Sequence, residues 1–140
     1  MWMIYAFVSA LFAGLTAIFA KIGLKGVDST LATTVRSFIM AGFLGVTAVA
    51  LKKFQGFSLN SFSSKEWLFV VLSGIAGALS WLFYFYALKN GDTTVVSAID
   101  RLSIVFVLIF AGFILGEGFT AYKIAGVLLI ALGAFLTTLK

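Results

Sequence analysis

The sequence contains no cysteine, no histidine and no proline. Without cysteine the chain has neither disulfides nor thiolate metal sites, and without histidine it lacks the commonest metal ligand and the usual proton shuttle. No cluster of histidine, cysteine and acidic residues is available for catalysis, so an enzyme is disfavoured and we expect no cofactor and no metal. Without proline, the helices lack the residue that usually kinks them.

Charge is also scarce, at 11% of the residues, whereas 62% of the residues are hydrophobic. The mean hydropathy is +1.15. Because soluble domains carry about 25% charged residues, the composition predicts an integral membrane protein. We expect it to be a multi-pass protein of the cell inner (plasma) membrane. The formal charge of +5 does not indicate a nucleic-acid partner, since the ten lysines and arginines are scattered along the chain.

Five apolar runs are long enough to cross a bilayer, whose core of about 30 Å needs about 20 helical residues. We predict an all-α membrane protein with one domain over residues 1–140 and transmembrane helices at about 2–22, 29–51, 66–88, 94–115 and 120–139. The long second loop carries Phe54, Phe57 and Phe62. These rings would let the loop lie among lipid headgroups, so membrane lipid is an expected partner.

The lysines do not fix the orientation in the membrane. With five helices the termini lie on opposite sides, and each side carries four lysines close to helix ends: Lys52, Lys53, Lys65 and Lys123 against Lys21, Lys25, Lys89 and Lys140. The positive-inside rule therefore gives no preference. Two interpretations stay open: an orientation set by other features, or dual topology, in which the chain inserts both ways and pairs antiparallel with itself.

Three ionisable residues lie inside the predicted spans: Arg36, Asp100 and Arg101. Each costs about 2.5–3.5 kcal/mol at a helix centre, so such residues normally face a bundle interior or a wet cavity. Arg36 and Asp100 are each roughly 10 Å from the same membrane side at 1.5 Å per residue, and an ion pair between them would match in depth. Arg101 is turned about 100° from Asp100, so the two side chains cannot face one partner helix.

Two interpretations of these charges remain. In one, Arg36 and Asp100 lock two helices together and Arg101 extends toward the membrane surface. In the other, the charges line a water-filled pocket on a transport path, to which Ser97 adds a hydroxyl. Asp100 is then the candidate for proton or cation coupling, and the arginines suit a carboxylate or phosphate on the substrate.

The third predicted helix carries an aromatic face, formed by Trp81, Tyr84 and Phe85 at helical spacing. These rings either face lipid and the membrane interface, or form a stacking wall for an amphipathic or aromatic substrate.

Farther along the chain, Gly116 and Glu117 form the tightest predicted turn. Since a carboxylate at a helix C-terminus opposes the helix dipole, we expect Lys123 or water to satisfy Glu117.

Several segments resemble one EamA-type repeat of the drug/metabolite transporter superfamily, in its single-repeat, five-helix bacterial and archaeal form. They are "VRSFIMAGFL", "WLFYFYALKNGDTTVVSAIDRLS" and "LGEGFTAYKIAGVLLIALGAFL". Larger members of this superfamily carry two such repeats, the second inverted, with a substrate cavity between them. The resemblance therefore implies a second copy, most simply an antiparallel homodimer. The chain departs from its relatives in lacking a proline at the start of the fourth helix.

The resemblance implies a secondary transporter that exports or exchanges (as an antiporter does) a small-molecule substrate, either a metabolite or a drug. Two alternatives remain: a lipid-linked carrier or flippase subunit, which a lateral lipid-facing cleft would favour, and a non-transport membrane assembly protein, which a tightly packed monomer with paired charges would favour. The small multidrug resistance type is disfavoured because the first helix here has no acidic residue.

Overall fold

The computed structural model describes residues 1–58 and 61–139, and it is all helical over those residues. Two residues of the phenylalanine-bearing loop and the last residue of the predicted domain lie outside the described ranges. The elements are α1 (Trp2–Gly23), α2 (Ser29–Ala50), α3 (Ser64–Asn90), α4 (Thr93–Asp100), α5 (Ser103–Ile114) and α6 (Ala121–Leu136). The predicted all-α fold class is confirmed.

Within the described residues, four helical stretches are long and apolar enough to cross a membrane. They are α1, α2, α3 and the stretch Thr93–Ile114, which α4 and α5 cover together, with mean hydropathies of 2.0, 1.4, 2.0 and 2.1. The shorter α6 is also apolar, with 16 residues. A chain with several such helices is a multi-pass membrane protein.

The fourth span forms one helical stretch, Thr93–Ile114, close to the helix expected over residues 94–115, but its backbone tightens in the middle. The structure ends α4 at Asp100 and begins α5 at Ser103. Across this break the amides of Arg101 and Leu102 donate to the carbonyls of Ala98 and Ile99, at 3.1 and 2.9 Å. These are 3₁₀-type bonds to the third preceding residue, which tighten the backbone. Neither proline nor glycine occurs between residues 92 and 111, so the usual helix breakers do not explain the interruption.

Local polar side chains fix the starts of several helices. Asp28 caps α2 by accepting from the Leu31 amide, and Asp92 caps α4 by accepting from two amides at 2.9 and 3.1 Å. Before α3, Ser63 and Glu66 form a reciprocal capping box. These contacts satisfy amide groups that a helix start leaves without intrahelical partners. They explain why α2 and α4 begin where they do.

Hydroxyl groups inside α2 are also satisfied within the helix itself. Thr33, Thr34 and Ser37 each donate to the carbonyl four residues earlier, at 2.8–2.9 Å. A hydroxyl in the hydrocarbon core has no water to bond, so this internal bond removes most of its cost. The polar residues of α2 are therefore compatible with a membrane-spanning helix, and Arg36 is the residue that requires another explanation.

The chain forms two compact units, which are described separately: unit 1 comprises residues 1–21 and 90–140, and unit 2 comprises residues 22–89. In unit 1, α6 packs along both α4 and α5, and it buries Val127 and Ala134. Lys21, at the end of α1, donates to the carbonyl of Gly91 at 2.8 Å and so ties α1 to the segment before α4. In unit 2, α3 buries Phe85 and Leu88.

Most apolar side chains of the chain are exposed. The buried hydrophobic residues of the described ranges are Ala17, Leu24, Phe85, Leu88, Val127 and Ala134. Between 0% and 6% of each candidate span is buried. Large exposed apolar surfaces mark contact with lipid or with another protein chain. The helices of a single copy therefore present their apolar faces outward.

Candidate functional site

Unit 2 places the embedded arginine of α2 against the aromatic face of α3. The guanidinium carbon of Arg36 lies 3.7 Å from the ring centroid of Trp81 and 5.4 Å from that of Phe85. Both distances fall within the range of a cation–π contact. The aromatic residues of α3 thus face a charged side chain, and their role as a stacking wall for a substrate stays a prediction.

The rings pack on one another as well. Trp81 meets Tyr84 edge-on with centroids 5.6 Å apart, and it meets Phe85 edge-on at 5.7 Å. Phe85 is only 2% exposed, whereas Trp81, Tyr84 and Arg36 are half-buried. Edge-to-face packing is the favoured geometry of aromatic pairs. We refer to Arg36, Trp81, Tyr84 and Phe85 as the Arg36 cluster.

One atom of this cluster is unsatisfied. Nη1 of Arg36 is buried and has no hydrogen-bond partner among the described residues. A cation–π contact uses the face of the guanidinium and leaves its N–H groups in the plane free to donate. That contact is worth up to about 2 kcal/mol when desolvated, against about 2.5–3.5 kcal/mol for an arginine at a helix centre. An acceptor for the N–H groups would offset the difference.

Unit 1 places the other ionisable pair at the backbone break. Asp100 is the last residue of α4 and is half-buried, and Arg101 follows it in the 3₁₀ link and is exposed. Within the described part of unit 1 the observed ion pair joins Lys123 and Glu117, and Asp100 takes no part in it. A carboxylate at a helix C-terminus faces the negative end of the helix dipole.

Ser97 lies one turn before Asp100 on the same helix and is half-buried. Residues three apart on a helix are surface neighbours, so the hydroxyl and the carboxylate share one side of α4. The three predicted site residues of the fourth span thus remain together in α4 and the link that follows it. The structure adds what the sequence pattern did not show: the pair lies where the helix is interrupted.

Two adjoining hollows run along α5 and α6 in unit 1. Their volumes are about 320 and 470 Å³, and they share Ile104, Val107 and Ile130. Arg101 lines one hollow, and Glu117 and Lys123 line the other. The groove formed by the two hollows is therefore apolar along its length and bordered by charged side chains near both ends.

The segment after α5 reverses its backbone conformation at Gly116. Gly116 has a φ of +69°, a left-handed conformation that glycine adopts without strain. The Glu117 amide donates to the Ala111 carbonyl at 3.1 Å. The Glu117 carboxylate lies 3.5 Å from Nζ of Lys123, which is one of the two partners expected from the sequence.

The expected Arg36–Asp100 pair stays a prediction, because Arg36 belongs to unit 2 and Asp100 to unit 1. The structure brings Arg36, Trp81 and Tyr84 together within unit 2. The sequence interpretation placed the rings on one face of the third helix but did not connect them to Arg36.

Comparison with known proteins agrees with the all-helical membrane fold. The model of the EamA-like transporter family matches residues 1–139. The chain belongs to the EamA-like transporter family. It is also 42% identical over 135 residues to an uncharacterized transporter in the cobO 3′ region of a Sinorhizobium species, an alignment that covers 96% of this chain and 94% of that protein. No solved structure matches the chain.

Membership in the EamA-like family confirms the resemblance found in the sequence. The protein is a multi-pass membrane transporter, which points away from an enzyme. The 135-residue alignment covers nearly all of this chain and of its Sinorhizobium relative, and the family model matches residues 1–139. The embedded charges of the Arg36 cluster and of Asp100–Arg101 are the residues from which its transport chemistry can be argued.

Proposed function

We propose that this protein is a secondary transporter that exports or exchanges a small metabolite or drug across the inner membrane. In this proposal, transport proceeds by alternating access through a cavity between two inverted copies of the chain. Proton or cation coupling is assigned to Asp100. The observation that carries the proposal is the interruption of the fourth span at Asp100 and Arg101.

An interrupted helix is informative at membrane depth. Arg101 and Leu102 keep helical backbone angles, and a 3₁₀ stretch in the middle of a helix often marks a functional hinge. Many transporters use discontinuous helices to bring polar groups to a substrate near the bilayer midplane, and a 3₁₀ link is a milder change of the helix backbone. Here the break lies in a span with a mean hydropathy of 2.1 and carries two ionisable side chains. A wet cavity beside α4 would account for both features.

The requirement for two copies is supported by exposure and charge. A single copy leaves its spans almost unburied, and its lysines are divided evenly between the two membrane sides. A chain without an orientation preference can insert both ways, and two inverted copies reproduce the symmetry of transporters with inverted repeats. The interface would then be isologous, with each copy contributing the same patch.

The coupling role is tested by Asp100→Asn in reconstituted vesicles. With a proton gradient imposed and a defined metabolite mixture outside, mass spectrometry identifies what the wild-type protein moves. We expect Asp100→Asn to abolish gradient-driven movement, because the amide cannot exchange a proton. The exposed carboxylate at the turn provides the control, as Glu117→Gln should transport normally. Full transport by Asp100→Asn would contradict the assignment.

The two-copy arrangement is tested in intact cells. Because the chain has no cysteine, Lys53→Cys and Lys89→Cys each introduce a single thiol on opposite membrane sides. With a membrane-impermeant reagent we expect part of each population to be labelled from outside. Labelling of one variant only would show a single orientation and exclude the antiparallel pair.

A second candidate function is a lipid-linked carrier or flippase subunit. The apolar groove along α5 and α6, bordered by Arg101 and Lys123, favours it because such a surface suits an acyl or prenyl chain beside an anionic headgroup. Vesicles distinguish the two functions. A flippase would move a fluorescent lipid-linked phosphate between leaflets without moving soluble metabolites.

A further inference from the structure

We infer that the Arg36 cluster is the binding site for a small organic monoanion with an aromatic body, such as an aromatic carboxylate. The carboxylate would accept from the in-plane N–H groups of Arg36, and its ring would pack against Trp81 and Tyr84. This inference rests on the proposed transport function and names the substrate class of that transporter. It does not depend on the role assigned to Asp100.

The hydrogen-bonding state of Arg36 points to an anion. The guanidinium is covered on one face by Trp81 at 3.7 Å, and its buried Nη1 has no partner among the described residues. A carboxylate matches the planar fork of a guanidinium with two parallel hydrogen bonds. A cationic substrate would be repelled, and a neutral substrate would leave the charge unpaired.

The surroundings of Arg36 indicate what else the ligand carries. The cluster contains one positive charge and three aromatic rings, which matches a monoanion with an apolar body better than a doubly charged phosphate. Trp81 and Tyr84 are half-buried, so part of each ring is accessible to a ligand. Phe85 is 2% exposed and packs against both rings. Aromatic rings favour offset or edge-on packing with another ring.

Access to the site fits the proposed mechanism. Arg36 as a whole is half-buried while Nη1 is shielded from water. An anion therefore reaches Nη1 in a conformation that opens the cluster. Alternating access requires such an opening of any substrate site. In the closed cluster the bound carboxylate would be screened from water, which strengthens its hydrogen bonds.

Binding can be measured directly on the full chain in nanodiscs. The protein has three tryptophans, so the background Trp2→Phe, Trp67→Phe leaves Trp81 as the reporter beside Arg36. We expect benzoate to change the Trp81 fluorescence saturably at concentrations on the order of millimolar, as a small fragment requires. Benzamide has the same ring and no charge, and we expect it to bind at least about tenfold more weakly, because it lacks the charge-assisted hydrogen bonds.

Two variants of Arg36 separate charge from shape. Arg36→Gln removes the charge and should weaken benzoate binding by about tenfold or more. Arg36→Lys keeps the charge but loses the planar fork, so binding should fall between the wild-type protein and Arg36→Gln. Size-exclusion elution and circular dichroism establish that each variant is folded, and Arg36→Lys provides the test if Arg36→Gln is not. Equal binding of benzoate and benzamide, equal binding by a folded Arg36 variant, or no saturable response to benzoate would overturn the inference.

Vesicle measurements keep this inference separate from the proposed function. If benzoate binding depends on Arg36 but the protein transports no solute, the binding site is supported and the proposed transport function is contradicted. If the wild-type protein transports a solute, Arg36→Gln transports it equally well and benzoate does not bind, the proposed transport function is supported. The proposed binding site at the Arg36 cluster is then contradicted.

Discussion

The two regions that carry embedded charge handle it in different ways. In unit 2, α2 continues without interruption from Ser29 to Ala50, and Arg36 is stabilised by the ring of Trp81 on α3. In unit 1, the helix stops at Asp100, and Arg101 lies in a 3₁₀ link between α4 and α5. One region packs aromatic side chains around a charge, and the other changes the backbone.

The starting points of the two helices make the difference clearer. Arg36 is eight residues beyond its cap Asp28, and Asp100 is eight residues beyond its cap Asp92. Equal distances from similar caps give similar depths along each helix, yet only α4 is interrupted there. Depth alone therefore does not decide how a charge is accommodated. The neighbours of the two charges differ: aromatic rings face Arg36, whereas the groove beside Arg101 is lined mainly by aliphatic side chains.

Removal of the buried ring should produce the largest effect. Phe85→Ala leaves a cavity behind Trp81 and Arg36, and we expect the free energy of unfolding to fall by about 3–5 kcal/mol, as for other buried aromatic residues. Titration with denaturing detergent in mixed micelles measures this change. In the described residues of unit 1 the buried hydrophobic side chains are aliphatic, so no equivalent single substitution exists there.

The control for that experiment lies on the same helix. Phe83 is 73% exposed, and Phe83→Ala should change the free energy of unfolding by no more than about 0.5 kcal/mol. If both substitutions have the same effect, the aromatic packing in unit 2 does not support Arg36, and the contrast between the two regions is lost.

Much of the fold could be predicted from the sequence because lipid imposes a simple requirement. Runs of about 20 apolar residues must form helices that satisfy their own backbone, and the predicted starts at 2 and 29 agree with α1 and α2. The helix ends near the membrane interface were harder to predict from hydropathy. Helix α3 runs from Ser64 to Asn90, beyond the predicted 66–88. At its start, the capping box of Ser63 and Glu66 adds a polar turn that hydropathy does not detect.

The break at Asp100 could not be predicted from local sequence. Helix interruptions are usually read from proline and glycine, and neither occurs near Arg101. For the Arg36 cluster, the helical period correctly placed Trp81, Tyr84 and Phe85 on one face. Which helix that face meets depends on tertiary packing, and no pattern within α3 contains that information. The ion pair expected between Arg36 and Asp100 remains a prediction for the same reason.

Water accessibility should differ between the two regions by a smaller but measurable amount. Ser103→Cys introduces a thiol beside the break, and Ser37→Cys introduces one next to Arg36 in the continuous helix α2. If the break lines a wet cavity, a hydrophilic maleimide should label the Ser103→Cys variant on the order of tenfold faster than the Ser37→Cys variant, because the reaction needs the hydrated thiolate. Labelling time courses on protein in liposomes measure the two rates.

Phe110→Cys provides the reference for a lipid-facing thiol, since Phe110 is 57% exposed on α5. Equal slow labelling at positions 103 and 110 would mean that the break faces hydrocarbon. In that case the proposed cavity beside Asp100 would lose its support, while the Arg36 cluster would be unaffected.

The smallest effect is expected at the turn after α5, where charge is exposed rather than embedded. Glu117 and Lys123 are 56% and 48% exposed, and their charged atoms are 3.5 Å apart. Exposed pairs of this kind contribute about 0–1 kcal/mol, so Glu117→Gln should lower the free energy of unfolding by less than about 1 kcal/mol.

The neighbouring Gly116→Ala should have a larger effect, because φ of +69° is strained for alanine. The same detergent titration compares the two variants. A larger loss for Glu117→Gln than for Gly116→Ala would mean that the ion pair, rather than the backbone conformation, holds this turn, and exposed charge in unit 1 would then matter as much as embedded charge.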